Sequence, residues 1–174
     1  MTNSKDKVYY STHDTVFGKM FLASTDIGLC TVSFLDKDLN KHINWLKKHF
    51  SQTSIIEDTE RNMEALNQLQ QYFSGKRKVF DLKLHLLGTE FQRKVWNILT
   101  EIEFGEIWTY KDIAIRLGDV KKSRAVGGAV GKNPIGVIIP CHRVIGSNGK
   151  LTGFSAPGGI QLKKRLLELE QEHV

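Results

Sequence analysis

Thr109-Tyr110-Lys111-Asp112-Ile113-Ala114-Ile115-Arg116-Leu117-Gly118, then Asp119-Val120-Lys121-Lys122, then Ser123-Arg124-Ala125-Val126-Gly127-Gly128-Ala129-Val130-Gly131 is the stretch that decides the fold. Thr109 is a good helix N-cap, Ile113, Ala114 and Leu117 share one face of the turns that follow, and Gly118 supplies a stop. Four connecting residues lead to Ser123, a second N-cap residue. Helix, short turn and helix, with Lys121, Lys122 and Arg124 gathered at the start of the second helix, is the helix-turn-helix pattern.

That second helix is nearly bare of side chains. Each interior glycine costs about 1 kcal/mol of helix stability relative to alanine, so Gly127 and Gly128 require a compensating gain. Two readings stand. One is close packing against a neighbouring element. The other is a slim, basic-tipped helix lying flush in a narrow nucleic-acid groove, where base edges are degenerate and recognition rests on shape or on a damaged base.

Downstream, Asn133-Pro134 opens a segment whose apolar run, Ile135 to Ile139, reads as a strand ended by Pro140. Pro140-Cys141-His142-Arg143-Val144 follows. A lone cysteine in an apolar stretch is often an inert core residue. Here His142 and Arg143 offer a base and a positive field, the two influences that favour the reactive thiolate. In an extended chain Cys141 and His142 point to opposite faces, so their cooperation needs a turn or a bridging water. Val144-Ile145 and Leu151-Thr152 read as a hairpin around Ser147-Asn148-Gly149. Gly153 to Gly159 is a glycine-rich loop able to reach over a pocket. The last helix, about Ile160 to Glu170, turns Leu162, Leu166 and Leu169 inward.

Upstream of the helix-turn-helix, Thr89-Glu90-Phe91-Gln92 fits a capping box, and Phe91, Val95, Ile98 and Ile102 line one face of the helix it starts. Tyr9 to Thr12, Lys19 to Ser24 and Leu29 to Leu35 read as an antiparallel meander, with a turn at Asp26-Ile27-Gly28. Two amphipathic helices follow, carried by Leu39, Ile43, Leu46 and Phe50 and by Met63, Leu66, Leu69 and Phe73, the second stopped at Ser74-Gly75. A basic, extended segment from Lys76 to Gly88 marks a boundary. The expected fold is therefore α+β, with an N-terminal sheet-and-helix domain over residues 1–84 and a mostly helical, winged-helix-like domain over 85–174.

Composition narrows the class. The 174 residues carry a net charge of +6 with a pI near 9.3, which permits an acidic partner such as DNA without demanding one. No stretch has the length and apolarity of a membrane span, and the polar N-terminus lacks a secretory signal, so a cytoplasmic protein is expected. Cys30 and Cys141 are far apart, which argues against a disulfide framework, and the six histidines form no ligand pair.

Taken in order, Gly88-Thr89-Glu90-Phe91-Gln92, Val95-Trp96, Thr109-Tyr110, Arg124-Ala125-Val126-Gly127, Asn133-Pro134, Ile138 to Val144 and Leu166-Leu167 to Glu170 closely resemble the O6-alkylguanine-DNA alkyltransferase family. The N-terminal half is similar only in architecture. The resemblance implies DNA repair on duplex DNA bearing O6-alkylguanine, by a monomer without cofactor or metal, and leaves open whether O4-alkylthymine is also a substrate. Some members hold zinc in the N-terminal domain, but Cys30 is the one thiol there. Cys141 would accept the alkyl group by in-line displacement, His142 would take its proton through water, and Glu170 would orient and charge-stabilise the imidazole. Asn133 would tie down the turn, and Tyr110 would serve the leaving oxygen and crowd the flanking phosphate. Arg124 would fill the space left by the extruded nucleotide, with Ser123, Ala125, Gly127 and Gly128 beside it on the DNA. Val144, Phe154 and Ser155 would line the pocket, Ser155 through a backbone donor to O6. Two departures stand out: Phe154 replaces a tyrosine common in the family, and the loop to Gly159 is longer.

An alkyl thioether has no carbonyl for water to attack, so the acceptor would be consumed in a single turnover. The rivals are a thiol hydrolase, which would turn over, and a binding module that reads DNA or lesions without a reactive cysteine.

Overall fold

The computed structural model describes residues 7–154, 156 and 158–174. The chain divides into two compact units, Met1–Leu87 and Gly88–Val174, where the sequence reading put the break between residues 84 and 85.

In the first unit three strands, β1 (Lys7–Thr15), β2 (Gly18–Ser24) and β3 (Leu29–Phe34), form the expected antiparallel meander. Met20, Phe21, Leu22 and Ala23 are all fully buried, as in a strand covered on both faces. Leu46 of helix α1 (Leu39–His49) joins the cluster of Val8, Phe21, Ala23 and Cys30 on one face. On the other, Asn62, just ahead of helix α2 (Met63–Phe73), donates to Ser11 Oγ and the Tyr9 carbonyl, while Phe73 rings meet Phe17 and Phe34.

Two details go beyond the sequence reading. A fourth strand, β4 (Ser54–Glu57), adds in parallel to β1, giving the order β3-β2-β1-β4. The segment from Val79 to Leu87 is not a strand. It makes a single bridge, Leu84 to Leu29, because Gly28 lets the backbone approach until a Cβ there would lie 2.5 Å from the Lys83 carbonyl.

The second unit opens with helix α3 (Glu90–Leu99), whose Thr89/Gln92 capping box is formed as expected. Strand β5 (Trp108–Thr109) leads into helix α4 (Tyr110–Arg116), where Thr109 and Asp112 make a second capping box. Gly118, at φ +92°, turns the chain away. A 3-10 turn over Val120–Lys122 then feeds helix α5 (Ser123–Gly131). Ser123 is the first helical residue rather than the cap, and its hydroxyl donates back to the Val120 carbonyl. Helix α5 packs on α3 and α4, and the buried Trp96 indole donates to the Ala129 carbonyl at 2.8 Å.

The hairpin expected after Val144 does not form. Strand β6 (Val144–Ile145) pairs in parallel with β5 instead, and residues 146–150 close only a turn, with Gly146 N–H donating to the Lys150 carbonyl. Helix α6 (Gly159–Glu172) completes the unit with Leu162, Leu166 and Leu169 buried.

Candidate active site

The run Ile135 to Ile139 is a compact turn, not a strand, and Asn133 is the reason. Its carbonyl accepts from the Ile135 N–H at 3.0 Å while its amide donates to the Ile139 carbonyl at 2.8 Å. The loop between is tight enough to hold Val137 at φ +69°, a conformation that a β-branched residue rarely adopts. Pro140 then starts a 3-10 turn, Cys141–Arg143, so the turn required for Cys141 and His142 to act together is present.

Cys141, His142 and Arg143 are all buried. His142 Nε2 lies 2.8 Å from Glu170 Oε1, inside the unit, with both side chains essentially inaccessible. Arg143 approaches the same carboxylate through Nε and Nη2 at 2.8–3.0 Å and donates from Nη1 to the Ile102 carbonyl at 2.6 Å. The Gly105 N–H adds a further donor to Glu170 Oε2 at 3.2 Å. Burial alone would raise the Glu170 carboxyl, but the hydrogen bonds and charges of His142 and Arg143 prevail and bring it down to about 2.

The imidazole tautomer follows from this. An ionised Glu170 accepts only, so His142 Nε2 carries the hydrogen and Nδ1 is the basic nitrogen. Burial also lowers the His142 pKa against the raising effect of Glu170, which keeps the ring neutral at physiological pH.

The thiol itself departs from expectation. Burial pushes Cys141 up, opposed by the Asn133 side chain and by the charge of Lys163. Arg143 does not supply the field assigned to it from sequence, because Glu170 engages its guanidinium. Lys163 does, and it was missed. Its signal was spacing: Lys163, Leu167 and Glu170 recur at i, i+4 and i+7 beside the Leu162, Leu166, Leu169 stripe, and all three are buried.

Tyr110, at the start of α4, donates from its hydroxyl to the Thr152 carbonyl at 3.2 Å. Burial raises its pKa, so the phenol keeps its proton. Gly153 sits at φ +69°, where a Cβ would lie 2.8 Å from that hydroxyl. Val144 is buried on β6 and Phe154 is half-buried, while Ser155 lies outside the described residues.

The α5 residues form a separate, outward face. Arg124, Ala125 and Gly128 are exposed, Ser123 and Gly127 are partly so, and Val126, Ala129 and Val130 point into the unit. A Cβ at Gly128 would meet nothing within 4 Å, and one at Gly127 only the Tyr110 ring at 3.9 Å. Packing within the unit therefore does not require glycine at position 128.

The chain resembles known proteins over nearly its whole length. Residues 8–86 match the ribonuclease-like domain of 6-O-methylguanine DNA methyltransferase, and residues 90–172 match the DNA-binding domain of the same enzyme. A methylated-DNA–protein-cysteine methyltransferase of Methanosarcina acetivorans is 45% identical over 163 residues, covering 94% of this chain and 98% of that one. The crystal structure of Mycobacterium tuberculosis O6-methylguanine methyltransferase superposes with a TM-score of 0.82 at 38% identity, covering 96% of this chain and 94% of that one. A structure of the M. tuberculosis protein in complex with DNA gives 0.81 at 39% identity, with coverages of 95% and 94%. Among the described residues no helix is long and apolar enough to cross a membrane. With both units matched and the α+β architecture shared, the chain belongs to the methylated-DNA–protein-cysteine methyltransferases, an enzyme family that transfers methyl groups from DNA to a cysteine of the protein itself.

Proposed function

We propose that this protein repairs duplex DNA by moving the alkyl group of O6-alkylguanine, once and irreversibly, onto Cys141. The observation that carries the reading is the buried chain His142–Glu170–Arg143, in which His142 and Arg143 share the 3-10 turn of the thiol and Glu170 reaches them from α6.

His142 Nδ1 takes the thiol proton through a water molecule, and Glu170 steadies the imidazolium that results. The sulfur forms a bond to the alkyl carbon as the carbon–O6 bond breaks, and the electron pair of that bond leaves on O6. Tyr110, which keeps its proton, turns its hydroxyl from the Thr152 carbonyl to the departing oxygen, and the proton taken by His142 is returned through water to give neutral guanine. The thioether then persists. O4-alkylthymine presents the same alkyl–oxygen bond to the same nucleophile and is the second substrate in this proposal.

DNA binding is assigned to α5. Its exposed face offers Arg124 beside the small residues Ala125, Gly127 and Gly128, which supports close approach to a groove. Arg124 fills the stack when the nucleotide is extruded, a displacement that costs a few kcal/mol. Two free thiols, Cys30 and Cys141, favour a reducing compartment, the cytoplasm.

A Cys141→Ala variant tests the assignment. It should bind an O6-methylguanine duplex with about wild-type affinity and transfer nothing. Residual transfer in that variant would refute Cys141 as the acceptor.

A further inference from the structure

Lys163 lies on the buried face of α6 with only 1% of its surface exposed. A lysine is almost never buried so fully without a purpose or a partner. Its ammonium donates to the Val144 carbonyl and, at 2.9 Å, to the Thr152 carbonyl. Among the described residues no carboxylate forms an ion pair with it; Glu170, two turns along the same helix, is engaged by Arg143 and His142.

The two carbonyls matter because of where they lie. Val144 immediately follows the Cys141–Arg143 turn, and Thr152 precedes the loop that begins at Gly153. The Thr152 carbonyl also accepts from Tyr110. One ammonium thus fastens the exit of the nucleophile turn to the start of the loop.

The charge count completes the argument. Arg143 and Glu170 neutralise one another, His142 is neutral, and Tyr110 keeps its proton. When Cys141 gives its proton to His142, the imidazolium becomes one counter-charge to the sulfur and the Lys163 ammonium is a second, present before the proton moves. The two are electrostatically coupled in both directions: Lys163 favours the Cys141 thiolate, and a thiolate there in turn favours the charged ammonium, whose pKa burial lowers. Dipoles of two carbonyls alone rarely keep a buried ammonium charged, whereas an anion close by does.

We propose that Lys163 is a positioning residue for alkyl transfer, its ammonium clamped by the Val144 and Thr152 carbonyls so that a positive charge faces the Cys141 sulfur as it ionises. The proposal rests on Cys141 as the acceptor and adds the origin of its reactivity.

The test separates charge from scaffolding. Carbamidomethylation of Cys141 by iodoacetamide, followed by peptide mass against pH, reads the apparent thiol pKa in the absence of DNA. In Lys163→Met it should rise by about one unit or more, the effect of removing an opposite charge nearby. Lys163→Gln, which keeps a donor but no charge, should follow Met, and Lys163→Arg should stay close to wild type.

Transfer from a methylated duplex should slow at pH 7 and recover at alkaline pH. The thiolate fraction falls tenfold per unit, but a more basic thiolate is the better nucleophile, so the net loss is about threefold per unit. A rate lowered equally at every pH, with an unmoved iodoacetamide profile in Gln or Met, would overturn the proposal. Should Lys163→Met fail to fold by circular dichroism, the Gln and Arg pair decides. Failure of wild type to accept any methyl group would instead refute the functional reading, while leaving the iodoacetamide titration to judge Lys163.

Discussion

At the scale of single residues, the site is built around one carboxylate. Glu170 accepts from His142, Arg143 and Gly105, so its removal strands a buried guanidinium. Breaking a buried pair by removing one partner costs roughly 3–5 kcal/mol. Glu170→Gln should lower unfolding stability by about 3 kcal/mol in urea titrations and slow transfer. Its pH signature has a definite sign. The folded value of about 2 lies below the ordinary value of about 4.3, so the contribution is complete above 4.3 and is lost as pH falls through 2. The wild type should lose stability across that window, and Glu170→Gln should not show that component. As the proposed base, His142 should set the acid limb of the rate profile. Burial lowers its pKa, so the neutral base survives below pH 6.5, and the acid limb of the rate profile should fall below that value. A limb at or above 6.5 would contradict a His142 base.

At the scale of elements, α5 and the loop after Thr152 give separable predictions. Gly128 is exposed and a Cβ there is unobstructed, so Gly128→Ala should stabilise the helix by about 1 kcal/mol in thermal unfolding. The same change should weaken duplex binding, since glycine at that position is then explained by the groove. Affinity unchanged in gel-shift titrations would remove that explanation. Arg124→Ala should slow transfer from duplex DNA more than from free O6-methylguanine base, and equal slowing would deny it a role in extrusion. Gly153→Ala places a methyl 2.8 Å from the Tyr110 hydroxyl at a left-handed φ, so it should displace the phenol and lower the transfer rate.

For the whole molecule, elements with strong local signals were legible in the sequence. The capping boxes at Thr89 and Thr109 and the helices α1 to α4 are set by nearest neighbours along the chain and form where the spacing placed them, although in α1 only Leu46 of the stripe is buried and Leu39 stays exposed. What depends on distant partners was not. The apolar run from Ile135 reads as a strand, yet Asn133 folds it into a turn, and Val144-Ile145 pairs with Trp108-Thr109 rather than with its neighbour in sequence. Strand β4 is four residues long and mostly exposed, with too few apolar positions to show a period. Within the candidate site, Cys141 and His142 stand out as residues and Glu170, Asn133 and Tyr110 through the family resemblance, whereas the guanidinium on Glu170 emerges only from tertiary contacts and Lys163 shows in sequence only as a place on the buried spacing of α6. Single use of Cys141 is the centre of the proposed reaction. Its most direct test is intact-mass and peptide-mass measurement after prolonged incubation with excess O6-methylguanine duplex. The expected result is one methyl group per protein, on Cys141, with guanine restored within the duplex in equal amount and no further product. Product beyond one equivalent, or a methyl group on any other residue, would contradict it.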